Sequence, residues 1–297
     1  MKKLVLLLFI AGSALAQGAG ESGLSFLKIG FGARNIAMGD IGVVSADGVS
    51  ALNYNPALLR NYESPQFMLT HTEVMQDVRS ELFGASFKMF GLPFAFGLNA
   101  TTVSDIEIRT RPGDAISTFN VSYYFGSLST GFKLYDNLSA GITFKYLVEN
   151  IYTDEASGYG FDFGLHYADL IENLNLGFSI RNLGSMSALR NEPSKLPVDL
   201  RFGADYLIPA ESLKSEIYLA AGFQKYSASD ENHFNLGGEF LYDNLIAVRL
   251  GYIAGFDSKG MSFGLGLRLN KFDFDYAFVP LQYELGSSHI ISIQFTL

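Results

Sequence analysis

From Tyr159 to Tyr167 every odd position is large and apolar (Tyr159, Phe161, Phe163, Leu165, Tyr167), while the even positions read Gly160, Asp162, Gly164 and His166. Successive residues of a strand face opposite sides of its sheet, so this stretch makes a strand with one greasy, aromatic face and one face of glycine and charge. The same period recurs at Leu174 to Asn182, Val198 to Tyr206 and Ser262 to Leu269. Such strands fit an antiparallel barrel that is apolar outside and polar within. A soluble sandwich or lipocalin-like barrel also alternates, but it turns its apolar face inward and covers the outside with long solvated side chains. Here the polar face is mostly small, which suits a concave inner wall with room for a plug.

The chain begins as an exported one would. Lys2 and Lys3 precede the apolar run Leu4 to Ile10, and Ala14-Leu15-Ala16 follows, so residues 1–16 read as a signal peptide cleaved before Gln17. No later stretch approaches the roughly 18 consecutive apolar residues of a membrane-crossing helix, so residence in a membrane must come from strands. Together these features predict an all-β chain in a bacterial outer membrane, in contact with its lipids.

Removing Lys2 and Lys3 from 21 basic residues leaves 19 against 30 acidic ones, a net charge of -11 that makes nucleic acid an unsuitable partner. The chain has 0 Cys, which excludes disulfides, thiol catalysis and cysteine metal sites. Tyrosines at expected strand ends, such as Tyr135, Tyr146, Tyr206 and Tyr252, suit the aromatic girdles of a membrane barrel, although β propensity alone accounts for many of them.

Alternation and turn residues predict about fourteen strands, as even-numbered barrels require. Expected strands lie near 66–74, 81–90, 93–103, 116–135, 138–150, 157–168, 174–182, 198–208, 214–224, 233–241, 245–253, 261–269, 272–279 and 289–297. Tight connections at Gly91-Leu92, Tyr135-Asn137, Tyr242-Asn244 and Asn270-Lys271 alternate with looser ones, the longest being Leu183 to Pro197. Parity holds only if 116–135 is one long or bent strand. The last strand places Ile291, Ile293, Phe295 and Leu297 outward, which suits closure on the first strand and resembles the C-terminal signal of outer-membrane barrels.

The inward face collects Lys88, Lys145, Asp162, Arg181, Asp199, Arg201, Asp205, Glu239, Arg249, Arg268, Asp273 and Asp275. Buried charges must pair, so a mutually satisfied network is expected in preference to a binding site, with Arg268 facing Asp273 across the Asn270-Lys271 turn. The four histidines (His71, His166, His233, His289) share no metal-ligand spacing, and no nucleophile, base and orienter arrangement is legible. Neither a phosphate-binding loop nor a dinucleotide fingerprint occurs in the strand-to-helix context it needs. The chain therefore reads as a non-enzyme without metal or cofactor.

Residues 17–65 precede the barrel (66–297) and lack sustained alternation. Between Leu24 and Arg60 they are apolar, glycine-dotted and interrupted by Asn55-Pro56-Ala57, as a plug would be, with Pro56 placed to open a helical turn. Arg34 in such a plug needs a carboxylate on the wall.

Four fragments carry a resemblance: Phe26-Leu27-Lys28-Ile29-Gly30, Gly32-Ala33-Arg34, Ala37-Met38-Gly39, and Asp47 leading to Asn53-Tyr54-Asn55-Pro56-Ala57. In this order they resemble the PorV/PorQ family, within the FadL-like group of outer-membrane barrels. The resemblance implies an N-terminal hatch inside the barrel, with Arg34, Met38, Gly39, Asn55, Pro56 and Ala57 as its motif residues. It also implies two functions. PorV-like members of the type IX secretion system receive exported proteins bearing a C-terminal sorting domain; FadL-like members admit hydrophobic small molecules past the hatch and out through a gap in the wall. A third possibility is an accessory barrel with neither cargo nor channel function. The secretion role implies a closed lumen and an apolar patch on the outer loops, with Met186, Leu189, Ile253 and Phe256 as candidates. The transport role implies a pocket between hatch and wall, lined from Phe26, Leu27, Ile29, Phe31, Ile36 and Met38. Compact outer loops and Asp40-Ile41-Gly42, where a small-residue run with alanine is expected, depart from the secretion pattern.

Overall fold

The structure, a computed structural model, describes residues 23–75, 77–227 and 232–297. The expected signal peptide, residues 1–16, lies outside them. Among the described residues no helix is long and apolar enough to cross a membrane. The crossing is made by strands: β1 (Gln66–Val74), β2 (Val78–Met89), β3 (Leu92–Ile108), β4 (Ser117–Lys133), β5 (Leu138–Ile151), β6 (Asp154–Ile171) and β7 (Leu174–Met186) form the first half. A small hairpin, β8 (Ala188–Leu189) and β9 (Glu192–Pro193), interrupts the series. The second half is β10 (Asp199–Ala210), β11 (Ser215–Tyr226), β12 (Asn232–Tyr242), β13 (Ile246–Ala254), β14 (Met261–Leu269), β15 (Phe272–Pro280) and β16 (Ser287–Thr296).

These strands, apart from the small hairpin, close into one antiparallel barrel of fourteen, with β16 pairing β1 from Thr296↔Gln66 to His289↔Glu73. The stretch 116–135 holds a single unbroken strand, β4 (Ser117–Lys133), of 17 residues. The hairpin β8-β9 was not expected, because two-residue strands carry no period to read.

Side chains alternate as the sequence requires. On β6, Phe163 is 46% and Leu165 43% exposed, whereas Asp162 is 0% exposed. Apolar exposure on this scale continues around the barrel through Leu69, Leu98, Leu236, Leu250 and Leu265. In water it would be an aggregation hazard; in a bilayer it is the lipid contact. The polar lumen and apolar exterior exclude the lipocalin-like alternative.

Most tight turns gather at one end; the connection between β5 and β6, expected to be looser at 151–156, is instead a two-residue turn at the other end. Phe90 and Gly91 between β2 and β3, and Asp243 and Asn244 between β12 and β13, all have positive φ, the geometry that matches a two-residue hairpin to strand twist. Longer connections, including 109–116, 187–198 and 255–260, gather at the other end, which by the rule for outer-membrane barrels faces outward. Wall height is uneven. β13, β14 and β15 have 9 residues each, about one membrane crossing, whereas β3, β4 and β6 have 17, 17 and 18. Since β3 starts at a tight turn, the excess projects on the outer side. The outer loops are compact as expected, and much of the outer surface comes instead from this strand extension.

Candidate functional site

Residues 24–65 lie inside the barrel as five short helical turns, including α1 (Ala33–Ala37) and α2 (Ala51–Tyr54). They fill it. Ala33, Ala37, Met38, Val49, Ala51, Leu52 and Asn55 are fully buried between hatch and wall. Close approach is possible because inward wall positions are glycine. A Cβ on Gly131 of β4 would lie 2.7 Å from the Pro56 carbonyl oxygen, and one on Gly203 of β10 would lie 2.7 Å from Val43 Cγ1. Gly141, Gly164, Gly177, Gly237 and Gly264 meet the hatch in the same way, so the contacts encircle the lumen.

The Asn-Pro turn is fixed from three sides. Asn55 Oδ1 accepts from Ala57 N at 3.1 Å, and Asn55 Nδ2 donates to Val43 O at 2.6 Å and to Leu165 O of β6 at 3.0 Å. Pro56 then opens the helical turn Pro56–Asn61, since its missing N–H would have no partner at that position.

Two charge networks latch the hatch to the wall. In the first, Arg34 grips Glu239 of β12 bidentately, Nε and Nη2 each donating at 3.0 Å, while Nη1 donates to Ser45 O at 2.7 Å. Arg249 of β13 meets the same Glu239 at 2.5 Å and Asp275 of β15 at 2.6 Å. In the second, Arg201 of β10 reaches Asp40 of the hatch at 3.1 Å and Asp199 at 2.9 Å. Arg181 of β7 also pairs with Asp199 and donates to the carbonyl of Asn53. Tyr54 OH donates to Asp40 Oδ1 at 2.6 Å and accepts from Phe31 N at 3.0 Å. Bidentate, buried charge pairs of this kind are specific in geometry, and removing one partner strands the other.

The lumen residues singled out in the sequence divide accordingly. Asp199, Arg201, Glu239, Arg249 and Asp275 belong to the two latches. Asp162 pairs with Lys145 at 2.7 Å within the wall, and Asp205 accepts from Asn175 at 2.7 Å and from Tyr218. Arg268 and Asp273 correct the expectation. They face each other in register without an ion pair among the described residues, Arg268 donating instead to Asn244 at 3.1 Å near the inner mouth, where both line a wide cavity with Asp47 and Asp243. Lys88 is exposed near the inner end of β2, in register with Pro93. Asp40, the hatch carboxylate that completes the second latch, was not identified as a partner; the signal was a lone charge in an apolar segment, which burial obliges to pair.

The expected hydrophobic pocket also needs correcting. A cavity of about 230 Å3 opens between hatch and outer loops, and of the six proposed residues Ile29 and Ile36 line it. Phe26, Leu27, Phe31 and Met38 do not; they are buried in the packing, with Phe26 stacked on Tyr123 at 4.9 Å and Phe31 edge-on to Phe125 at 5.8 Å. The outer-loop patch is absent as drawn. Met186 and Ile253 are buried, Leu189 and Phe256 half-buried, and Phe256 stacks on His233. Between β7 and β10 the ladder stops at Arg181↔Asp199 although β7 runs on to Met186. That seam is covered: Leu196 of the connecting loop is buried there, and Asn182 Nδ2 donates to Pro197 O at 3.1 Å.

The family model for "Type IX secretion system membrane protein PorP/SprF" matches residues 51–295, which span α2, the Asn-Pro turn and nearly the whole barrel. It shares the type IX association with PorV/PorQ, and most of the fragments resembling PorV/PorQ precede the matched segment. Among curated proteins none matches. Among solved structures, the toluene transporter TbuX of Ralstonia pickettii is similar at 14% identity with a TM-score of 0.64, covering 90% of this chain and 98% of its own. The toluene transporter TodX of Pseudomonas putida is similar at 13% with a TM-score of 0.64, covering 89% and 96%. The CymD monoaromatic hydrocarbon channel is similar at 14% with a TM-score of 0.59, covering 90% and 98%. At these identities the likeness is one of fold, a FadL-like barrel. Barrel and family together point to the outer membrane.

Proposed function

We propose, since this chain belongs to the type IX secretion system membrane protein family PorP/SprF, that it is a hatch-sealed barrel which binds exported proteins through their C-terminal sorting domains. The observation that carries this reading is the latched hatch. Arg34, Asp40 and the carbonyl of Asn53 hold it to β12, β10 and β7, so the barrel works as a fixed platform and not as a conduit. The raised outer wall of β3 to β6 supplies a surface on which cargo or a secretion-system component can rest. This role makes and breaks no covalent bond.

The alternative is FadL-like passage of a hydrophobic small molecule. The cavity beside Ile29 and Ile36 supports it, while the covered seam between β7 and β10 and the ion-paired hatch weigh against through-passage. Two reporter proteins, identical except for a sorting domain taken from an exported protein of the same cell, separate the readings when offered to the barrel in lipid nanodiscs. Saturable retention of the domain-bearing reporter alone is expected. Equal retention of both reporters, or of neither, overturns the cargo reading, and a stoichiometric hydrophobic molecule in the native preparation would then favour passage.

A further inference from the structure

The inner mouth of the barrel carries carboxylates that the two latches leave over. A cavity of about 560 Å3 opens there between hatch and wall, lined by Asp47 of the hatch, Asp243 of the β12-β13 turn, Asp273 of β15 and Arg268 of β14. A second cavity of about 250 Å3 adjoins it, lined by Glu63, Ser86, Leu58 and Leu59, and the two share Asp47 and Gln66. Four carboxylates thus meet one guanidinium. Arg268 is bonded to Asn244, and Asp47 lies 3.6 Å from Arg34, whose donors are otherwise spent on Glu239 and Ser45. Glu63, Asp243 and Asp273 form no ion pair among the described residues. An acidic cluster alone would be solvated surface, but here a second feature adds to it. Gln66 of β1 and Ser86 of β2 are partners in register, and Gln66 Oε1 and Ser86 Oγ are both buried without a hydrogen bond, Ser86 being 3% exposed. Oxygens buried in this way are unfavourable unless something brings N–H donors to them.

We infer that the joined cavities are a binding site for a chain of alkylammonium groups, as in a linear polyamine or in adjacent lysines of a protein segment. One ammonium enters the smaller cavity, where it pairs with Glu63 and donates to Gln66 Oε1 and Ser86 Oγ. Another pairs with Asp243 and Asp273 in the larger one, and Asp47 stands where the two meet. The methylenes between them lie along Leu58 and Leu59, which gives the apolar part of such a chain a surface of its own kind. A single ammonium can occupy only one of the cavities, so the arrangement favours a ligand with several charges in a row. The site opens on the side of the tight turns, which in such barrels is the periplasmic side. It lies across the hatch from the cavity beside Ile29 and Ile36 and does not depend on the cargo reading.

Calorimetric titration of the full barrel in nanodiscs of zwitterionic lipid tests the site with spermidine, a capped trilysine peptide and butylamine. Saturable one-to-one binding of spermidine or of the peptide is expected at low salt, tighter than butylamine by about tenfold or more and weakened as salt is raised. The tighter of the two names the source, a free polyamine or a protein segment. Asp243→Asn/Asp273→Asn, whose side chains have no ion pair to lose, should weaken binding by about tenfold or more while the barrel keeps its heat-dependent gel mobility. Glu63→Gln, in the other cavity, should weaken it independently. Glu172→Gln, on the exposed β6-β7 turn of the same rim, should leave it unchanged. No saturable binding of either polycation, equal affinity for butylamine, unchanged binding in the cavity variants, or equal weakening by Glu172→Gln would overturn the proposal. Retention of a sorting-domain reporter is measured separately, so either reading can fail alone.

Discussion

Asn55 is the residue on which the hatch turns. Its side chain is 0% exposed and makes three hydrogen bonds, one as acceptor from Ala57 N and two as donor to Val43 O and Leu165 O. Each buried group left unsatisfied costs about 1–3 kcal/mol, so Asn55→Ala should destabilise the barrel by several times the effect of an exposed substitution. Asn55→Asp should be worse than Asn55→Ala. The aspartate keeps the contact to Ala57 N but sets a carboxylate against two carbonyl oxygens, and urea unfolding in lipid vesicles should rank the midpoints wild type, Ala, Asp. An Asp variant as stable as the Ala variant would contradict this account of the turn. The sequence exposed Asn55-Pro56-Ala57 as a break in an apolar run, which is why the turn was legible. The partners of Asp40 were not, because pairing between a hatch residue and Arg201, 161 positions apart, leaves no local pattern.

At the scale of elements, the strands were legible because lipid and lumen impose opposite demands on alternate residues over the whole crossing. Their ends were less so: β3 runs to Ile108 and β6 from Asp154 to Ile171, beyond the alternation at 93–103 and 157–168, since strand extensions outside the bilayer have no apolar face to display. The glycine-rich inward face was the second readable signal, and the structure gives it a cause in the hatch that presses on it. Gly237 of β12 shows this, because an added Cβ would strike the backbone of Met38. Gly237→Val should therefore leave the barrel closed and dislodge α1. Limited proteolysis reads this directly: residues 24–60, protected in the wild type, should become cleavable while the barrel core stays intact. Equal protection in the variant would mean that the hatch does not rely on that contact.

For the whole molecule, the fold is a membrane barrel whose lumen is occupied by its own N-terminal segment and fastened on two sides. Burying that many charges is justified only when they are paired; several pairs lie within the wall, such as Lys145 with Asp162 and Arg249 with Asp275, and the hatch is fastened by Arg34 to Glu239, Arg201 to Asp40, and Arg181 to the carbonyl of Asn53. Such fastening ties the plug to three wall strands, which suits the proposed receptor better than a gate. The expected pocket was displaced for the same reason, since the apolar hatch side chains Phe26, Leu27, Phe31 and Met38 are buried in the packing that holds the plug in place. Conductance across a planar lipid bilayer tests the sealed lumen most directly. The wild-type barrel should insert without stable conductance steps, and Arg34→Ala/Arg201→Ala, which removes the wall's grip on both sides of the hatch, should show them. Steady wild-type conductance of open-barrel size, unchanged in that double variant, would contradict the account.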